Sequence, residues 1–262
     1  MGTKLFNSVI VGPIHSRRLG NSLGINLLPK YGKICNFDCI YCECGWNKEN
    51  KEDNKLATKE IVEKELSLRL KEIATQGGKI DSITFSGNGE PTINPHFAEI
   101  VDITIKLRDQ FFPKAKISVL SNSTMIGKKE IREALMKVDN PILKIDSALN
   151  NFVNLINIPS GTYSLDKTIE NLKKFNGNFI LQTMFLKGKI EKDGKEINID
   201  CTEQEHVIKW IELVRYLKPR QVMMYSLDRE TPAKNLEKIS GEQMRKIAEP
   251  LLNEGFNIQI NE

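Results

Sequence analysis

From residue 79 onward, short apolar runs alternate with segments whose apolar side chains recur three and four positions apart, and this alternation restricts the fold more than any other feature of the chain. Residues 79–85, 116–120, 141–146, 178–186, 221–226 and 256–260 read as strands. Between them lie helical stripes: Phe97, Ile100, Val101 and Thr104; Ile131, Ala134, Leu135 and Val138; Leu165, Ile169, Leu172 and Phe175. Asn94-Pro95 predicts a cap and first turn for the first stripe. Thr202 with Glu205, and Ser240 with Gln243, predict capping boxes for two further helices.

Strands joined by helices of this length form right-handed βαβ units around a parallel sheet. With residues 33–35 counted as the first strand, the pattern gives about six such units. The expected fold is α/β, a partial (β/α)6 TIM-like barrel with an N-terminal β-hairpin extension formed by residues 8–11 and 23–28. The expected organisation is a single domain over 1–262: an extension at 1–30, the barrel core at 31–232, and a C-terminal helix and strand at 233–262. Asp193-Gly194 predicts a second hairpin within 187–200.

Composition excludes several classes. No apolar run approaches the ~18 residues of a membrane span. The start lacks an apolar stretch followed by a small-residue cleavage site, so the expectation is a cytoplasmic protein with no membrane partner. The net charge of +4, from 38 basic and 34 acidic residues, does not by itself make a nucleic-acid binder.

The five cysteines say more. Cys35, Cys39 and Cys42 form a C-x3-C-x2-C run, Cys44 follows closely, and Cys201 stands far off. An odd number clustered this tightly points to metal or redox chemistry rather than a disulfide framework. Three thiolates at these spacings reach three corners of a 4Fe-4S cluster and leave one iron open to a small molecule. The competing readings are a zinc site, or a closed electron-transfer cluster that recruits Cys44 or Cys201. Structural zinc favours paired C-x2-C knuckles, and no second pair is present.

The end of the strand at 79–85 carries Ser86-Gly87-Asn88-Gly89-Glu90-Pro91-Thr92. A dinucleotide fingerprint would need glycine where Thr92 stands, and Pro91 lacks the N–H that a phosphate would take. With the cysteine run and the aromatic Tyr41 before its last cysteine, this segment resembles the radical S-adenosylmethionine (radical SAM) superfamily. Residues 12–24 resemble the opening of an iron–sulfur oxidoreductase group related to wybutosine-type tRNA-modifying enzymes. The extra cysteine triplet that holds a second cluster in those relatives is absent here.

The resemblance implies two cofactors, a 4Fe-4S cluster on Cys35, Cys39 and Cys42, and S-adenosylmethionine. It implies that Gly87, Asn88, Gly89, Glu90, Pro91 and Thr92 bind the methionine amino group, with Glu90 as acceptor. It places Ser121 and Asn122, with Ser123, near the ribose, and Tyr41 beside the cluster. Asp146 and Gln182, with Lys144, Thr183, Tyr225, Asp228 and Arg229, lie at or near strand ends that face a barrel active site. The implied activity is reductive cleavage of S-adenosylmethionine to a 5′-deoxyadenosyl radical, which takes hydrogen from an RNA or small-molecule substrate. An external electron donor such as flavodoxin or ferredoxin would supply the electron. The alternatives are an activator of a glycyl-radical enzyme or a peptide-modifying enzyme, and, from another class, a non-catalytic electron carrier. Arg17 and Arg18 could bind a carboxylate or phosphate. His15, His96 and His206 show no metal-ligand spacing and read as structural.

Overall fold

Pairing in the N-terminal half places the first parallel strand earlier than expected. In the computed structural model, which describes residues 5–16, 19–49 and 54–261, β1 (Ile10–Ser16) and β2 (Gly20–Ile25) make the expected antiparallel hairpin. After the helix α1 (Lys59–Thr75) comes β3 (Ser82–Phe85), and β2 lies parallel to it, with Leu23 opposite Ile83. Residues 33–35 form no strand; Ile34 makes a single bridge to Gly89 before the chain turns into the cysteine run. Leu23 and Ile25 are fully buried and carry the strand pattern; three residues ending in a cysteine loop cannot sustain a ladder.

The chain divides into two compact units. The N-terminal unit holds Leu5–Asn36 and Asn47–Ile142. Here β3 is followed by α2 (Phe97–Phe111), β4 (Lys116–Ser121) and α3 (Lys129–Lys137), and β3 and β4 run parallel. One face of these strands presents Ile83, Phe85, Ile117 and Val119, all fully buried, and Phe85 meets Phe97 of α2 edge-on at 5.7 Å. The other face carries small hydroxyls tied to one another: Ser82 to Ser118 at 2.9 Å and Ser22 to Thr84 at 2.7 Å. Burial on both faces is the expected environment of a parallel sheet. The helix α1 was not foreshadowed by a strong apolar stripe, yet Val62, Leu66, Leu70 and Ile73 recur at helical spacing and are its buried face.

Asn94 does not cap α2. His96 holds the cap position, and Asn94 instead donates to the carbonyls of Leu27 at 3.1 Å and Ala57 at 2.9 Å, closing two loops over the helix start.

The C-terminal unit holds Phe37–Trp46 and Leu143–Glu262. It receives β5 (Asn140–Lys144), whose last two residues belong to it, then α4 (Asn150–Ile156), α5 (Leu165–Lys173) and β6 (Ile180–Met184). The apolar run at 178–186 breaks at Phe185, where β7 (Leu186–Lys192) begins. β8 (Lys195–Asp200) pairs with β7 across Asp193-Gly194, both at positive φ (53° and 71°), as a two-residue hairpin turn requires. Next come α6 (Gln204–Leu217), β9 (Gln221–Tyr225), β10 (Asn235–Lys238), α7 (Gly241–Asn253) and β11 (Ile258–Asn261). β9 runs parallel to both β6 and β11, and β10 adds a third strand to the hairpin.

The Ser240–Gln243 capping box is formed in full. The one expected at Thr202 is not: Thr202 gives its N–H and hydroxyl to Asp200, at 2.7 and 2.6 Å, and Glu203 becomes the uncapped first position. His206 packs its ring on Phe152 at 4.0 Å, and His96 sits at the start of α2, both structural places. Met223 and Met224 are buried in β9. Among the described residues no helix is long and apolar enough to cross a membrane. Arg17 and Arg18 lie outside the described residues.

Candidate active site

The turn after β3 is fastened to the segment that leads into the cysteines. Ile34 donates to the Asn88 carbonyl at 3.0 Å and accepts from the Glu90 N–H at 3.1 Å. This contact requires glycine at 89: φ is +131°, and a Cβ would sit 1.9 Å from the Ile34 oxygen. At Gly87 a Cβ would meet Asn26 Oδ1 at 2.1 Å. At both glycines the space a Cβ would fill is taken by neighbouring protein.

Asn88 is likewise spent on the protein. Fully buried, it exchanges two hydrogen bonds with the Phe6 backbone (2.8 and 2.9 Å), donates to the Pro29 carbonyl at 2.7 Å, and gives its own N–H to Asn26. These bonds occupy both amide hydrogens and one lone pair of the Asn88 oxygen.

Glu90 is 2% exposed, and its carboxylate draws the ends of β3 and β4 together. Oε1 accepts from the Thr92 N–H at 3.1 Å, the Thr92 hydroxyl at 2.5 Å and the Ser121 hydroxyl at 2.9 Å; Oε2 accepts from the Asn122 N–H at 2.6 Å. Burial raises its pKa above the usual carboxylate value, and these donors oppose the rise. Pro91, buried beside it, opens a single 3-10 turn.

The same Asn122 reaches the cysteines. Its Nδ2 lies 3.5 Å from Cys35 Sγ and 2.8 Å from Asn36 Oδ1, while its Oδ1 accepts from the N–H and hydroxyl of Thr124. One residue thus touches the Glu90 carboxylate through its backbone and the Cys35 sulfur through its side chain.

In the C-terminal unit the cysteine loop lies along the end of α4. The N–H groups of Asp38 and Ile40 donate to the carbonyls of Asn157 (2.9 Å) and Ile156 (3.0 Å), and the Cys42 N–H turns back to the Cys39 carbonyl at 3.1 Å. Behind the loop is a buried polar cluster centred on Asp146. Its Oδ2 accepts from Tyr41 OH, from Lys144 Nζ at 3.0 Å and from Asn157 Nδ2 at 2.6 Å; its Oδ1 accepts from the Met184 N–H at 3.0 Å. Lys144 also contacts Tyr41 OH and lies over its ring, 4.6 Å from the centroid. Two of these donors face Cys39 Sγ: Asn157 Nδ2 at 3.4 Å and Lys144 Nζ at 4.0 Å.

The electrostatics follow from burial and this pairing. Burial pushes the Cys39 thiol up, and Lys144 pulls against it. Burial and the neighbouring Asp146 carboxylate hold the Tyr41 phenol well above its usual range. For Lys144 burial disfavours the charge, but Asp146 and Cys39 outweigh it and keep the ammonium well above its usual pKa. Sequence reasoning singled out every member of this cluster except Asn157; an asparagine just past a seven-residue helix carries no local signal.

The remaining positions divide. Gln182 is buried in β6 with its amide on Met223 Sδ at 3.4 Å, and Thr183 binds the Ile145 carbonyl. Arg229 pairs with Glu43 of the cysteine loop at 2.5 Å. Cys201 is 4% exposed, and burial pushes its thiol up to about 12. No disulfide joins any of the five cysteines. Among the described residues no three His, Cys, Asp or Glu side chains converge as ligands of a single metal ion do.

The donors fit iron–sulfur ligation within each unit: in the N-terminal unit the Cys35 sulfur meets an amide N–H, and in the C-terminal unit the Cys39 sulfur meets an amide and an ammonium. The N-terminal unit also fits a polar ligand. Glu90 Oε2 has one donor where Oε1 has three, and Ser123, fully buried at φ 67°, has an Oγ without a partner among the described residues.

Parallel strands with crossing helices define the chain as an α/β protein of the partial-barrel class. The family model described as the Radical SAM superfamily matches residues 30–201, so the chain belongs to that superfamily. A protein named GTPase Obg of Brachyspira hyodysenteriae is 29% identical over 93% of this chain and 33% of its own length. The UPF0026 protein MJ1312 of Methanocaldococcus jannaschii is 32% identical over 82% of this chain and 62% of its own. The chain thus spans a third to about three fifths of these relatives.

Among solved structures, a radical SAM methyltransferase from Sphaerobacter thermophilus aligns with a TM-score of 0.66, 14% identity, 92% of this chain and 65% of that one. TYW1 with a lysine-pyruvate adduct bound aligns at 0.59, with 14% identity, 90% of this chain and 74% of that one. Streptococcus suis SuiB bound to S-adenosylmethionine aligns at 0.58, with 16% identity, 88% of this chain and 46% of that one. At these identities the likeness shows the fold: an α/β partial TIM-like barrel.

Proposed function

We propose that this radical SAM enzyme binds a 4Fe-4S cluster through Cys35, Cys39 and Cys42, and S-adenosylmethionine beside it, and acts on an RNA or small-molecule substrate. The observation that carries the reading is the C-x3-C-x2-C run inside the matched segment, with Asn122 on the Cys35 sulfur and Asn157 on the Cys39 sulfur. When bound, the cluster supplies one electron for breaking the sulfonium C–S bond of S-adenosylmethionine. The chain's residues do the rest by position. Glu90 Oε2 accepts from the methionine ammonium while the Thr92, Ser121 and Asn122 donors hold the carboxylate still. Ser123 Oγ supplies a further polar contact near the end of β4. Pro91 and the two glycines shape the turn, and Asn88 anchors it.

The electron donor is a partner of the flavodoxin or ferredoxin type.

The test is anaerobic reconstitution, reduction, addition of S-adenosylmethionine and assay for 5′-deoxyadenosine. Wild-type protein is expected to form it and Cys39→Ala to form none. Glu90→Ala should keep its iron and bind S-adenosylmethionine at least about tenfold more weakly, the loss of roughly one charge-assisted hydrogen bond. An intact, reducible cluster that yields no 5′-deoxyadenosine with substrate candidates present would replace this reading with the electron carrier. Steep loss of RNA affinity with added salt would select RNA over a small molecule.

A further inference from the structure

The geometry points to Asn157 and Lys144 as positioning residues that set the reduction potential of the cluster through the Cys39 sulfur. The inference rests on the reading that Cys39 ligates the cluster.

Asn157 is 1% exposed and its main chain is fixed at both ends, its N–H on Val153 at 2.8 Å and its carbonyl under Asp38 at 2.9 Å. Its amide has two hydrogens for three neighbours: Asp146 Oδ2 at 2.6 Å, Tyr41 OH at 2.9 Å and Cys39 Sγ at 3.4 Å. The Asp146 contact is the shortest and takes one hydrogen, which leaves the other directed between the phenol oxygen and the sulfur. Lys144 brings a full positive charge to 4.0 Å from the same sulfur and is itself held by Asp146 at 3.0 Å. Asp146 therefore works as a bracket: Tyr41, Lys144 and Asn157 all point at one oxygen, and two of them are thereby fixed against Cys39.

Reduction adds one negative charge to a cluster, and part of it resides on the ligating sulfurs. The electron comes from a low-potential one-electron reductant in solution, and no bond forms or breaks in that step. A donor N–H and an ammonium beside a sulfur stabilise the reduced form more than the oxidised form and raise the potential, and burial strengthens both effects. Removing either should make the cluster harder to reduce without removing a ligand.

The experiment is an EPR-monitored potentiometric titration with dithionite of reconstituted wild-type protein, Asn157→Leu, Asn157→Gln and Lys144→Met, with iron content and Tm recorded for each. At the wild-type midpoint, Asn157→Leu and Lys144→Met are expected to show a reduced-to-oxidised ratio about tenfold lower, which is 59 mV for a one-electron couple. Asn157→Gln, which keeps an amide, should shift less than Asn157→Leu. Iron-loaded Leu and Met variants that titrate with the wild type would overturn the inference. If the leucine variant takes up no iron, Lys144→Met decides by the same criterion. If neither loads, pulsed EPR of reduced wild-type protein labelled with 15N in its Lys side chains decides: a nitrogen coupling supports the inference and its absence overturns it. Full iron retention by Cys39→Ala would instead refute the ligand assignment beneath it.

Discussion

Replacing Gly89 by alanine isolates the contact between the turn and the segment entering the cysteine run. At φ +131° an alanine carries backbone strain of about 1–3 kcal/mol. Its Cβ would also lie 1.9 Å from the Ile34 oxygen and 2.6 Å from the carbonyl carbon, and both atoms are backbone, so no flexible side chain can swing aside. Relief requires the two strands of chain to part, which breaks the Ile34–Asn88 and Glu90–Ile34 hydrogen bonds, each worth about 0.5–1.5 kcal/mol. The combined cost is about 2–6 kcal/mol, a large fraction of the stability of an ordinary domain. Gly77 is the matched control: it also has a positive φ, +69°, but open space within 4 Å of a Cβ. Its alanine variant should lose only the left-handed penalty, about 1–2 kcal/mol. Urea unfolding at neutral pH, followed by circular dichroism, measures both. Cys35 follows Ile34 directly, so Gly89→Ala should also take up less iron on reconstitution, whereas Gly77→Ala should load normally. A Gly89→Ala protein no less stable than Gly77→Ala and with full iron would refute the argument.

Further expectations rest on separate parts of the molecule. Asp139 accepts from the Ile117 N–H and from Arg108, both at 2.9 Å, and from Lys116 at 3.1 Å; these contacts overcome its partial burial and hold its pKa below the usual value. A depressed carboxylate contributes stability above its unfolded pKa and loses it as pH falls through the folded one. Asp139→Asn should therefore melt lower than wild type at pH 7, and the gap should close below about pH 4; a pH-independent gap would contradict the assignment. Ser240→Ala removes a complete capping box and should cost about 0.5–2 kcal/mol, read as a shift in the urea midpoint with unchanged slope. Cys201 should resist iodoacetamide at pH 8 in the native protein and react once urea is added, because burial holds its thiol at about 12; rapid native labelling, located by mass spectrometry, would contradict its burial.

What the sequence made legible was whatever has a local period or a local turn chemistry. The strands β3, β4, β6 and β9 are apolar runs, Asp193-Gly194 needs two positive φ values, and Ser240 with Gln243 satisfies each other within one turn. Local signals misled where a more distant partner competed. Thr202 resembles a helix cap until Asp200 takes both of its donors, and Asn94 resembles one, but its oxygen accepts from the His96 N–H, ahead of a helix that starts at Phe97. Residues 33–35 look extended but among the described residues make one bridge, from Ile34 to Gly89, whereas Leu23 and Ile25, whose burial on β3 is a tertiary fact, form the real strand. The cysteine spacing and the glycine-rich turn were readable because their chemistry lies within eight residues each. Asn157 was not, because its importance comes from Cys39 and Asp146, 118 and 11 positions away.

Asn88 and Phe6 exchange hydrogen bonds as two residues facing each other across an antiparallel ladder would, except that one partner is a side chain. The consequence concerns how freely this turn can change. Aspartate at 88 keeps the acceptor for the Phe6 N–H but presents a buried negative charge to the carbonyls of Phe6 and Pro29. Glycine abandons the Phe6 N–H, the Phe6 carbonyl and the Pro29 carbonyl at once. Alteration of position 88 is therefore coupled to the chain at 6 and 29, and a deletion that removes Phe6 is felt at the turn 82 positions away.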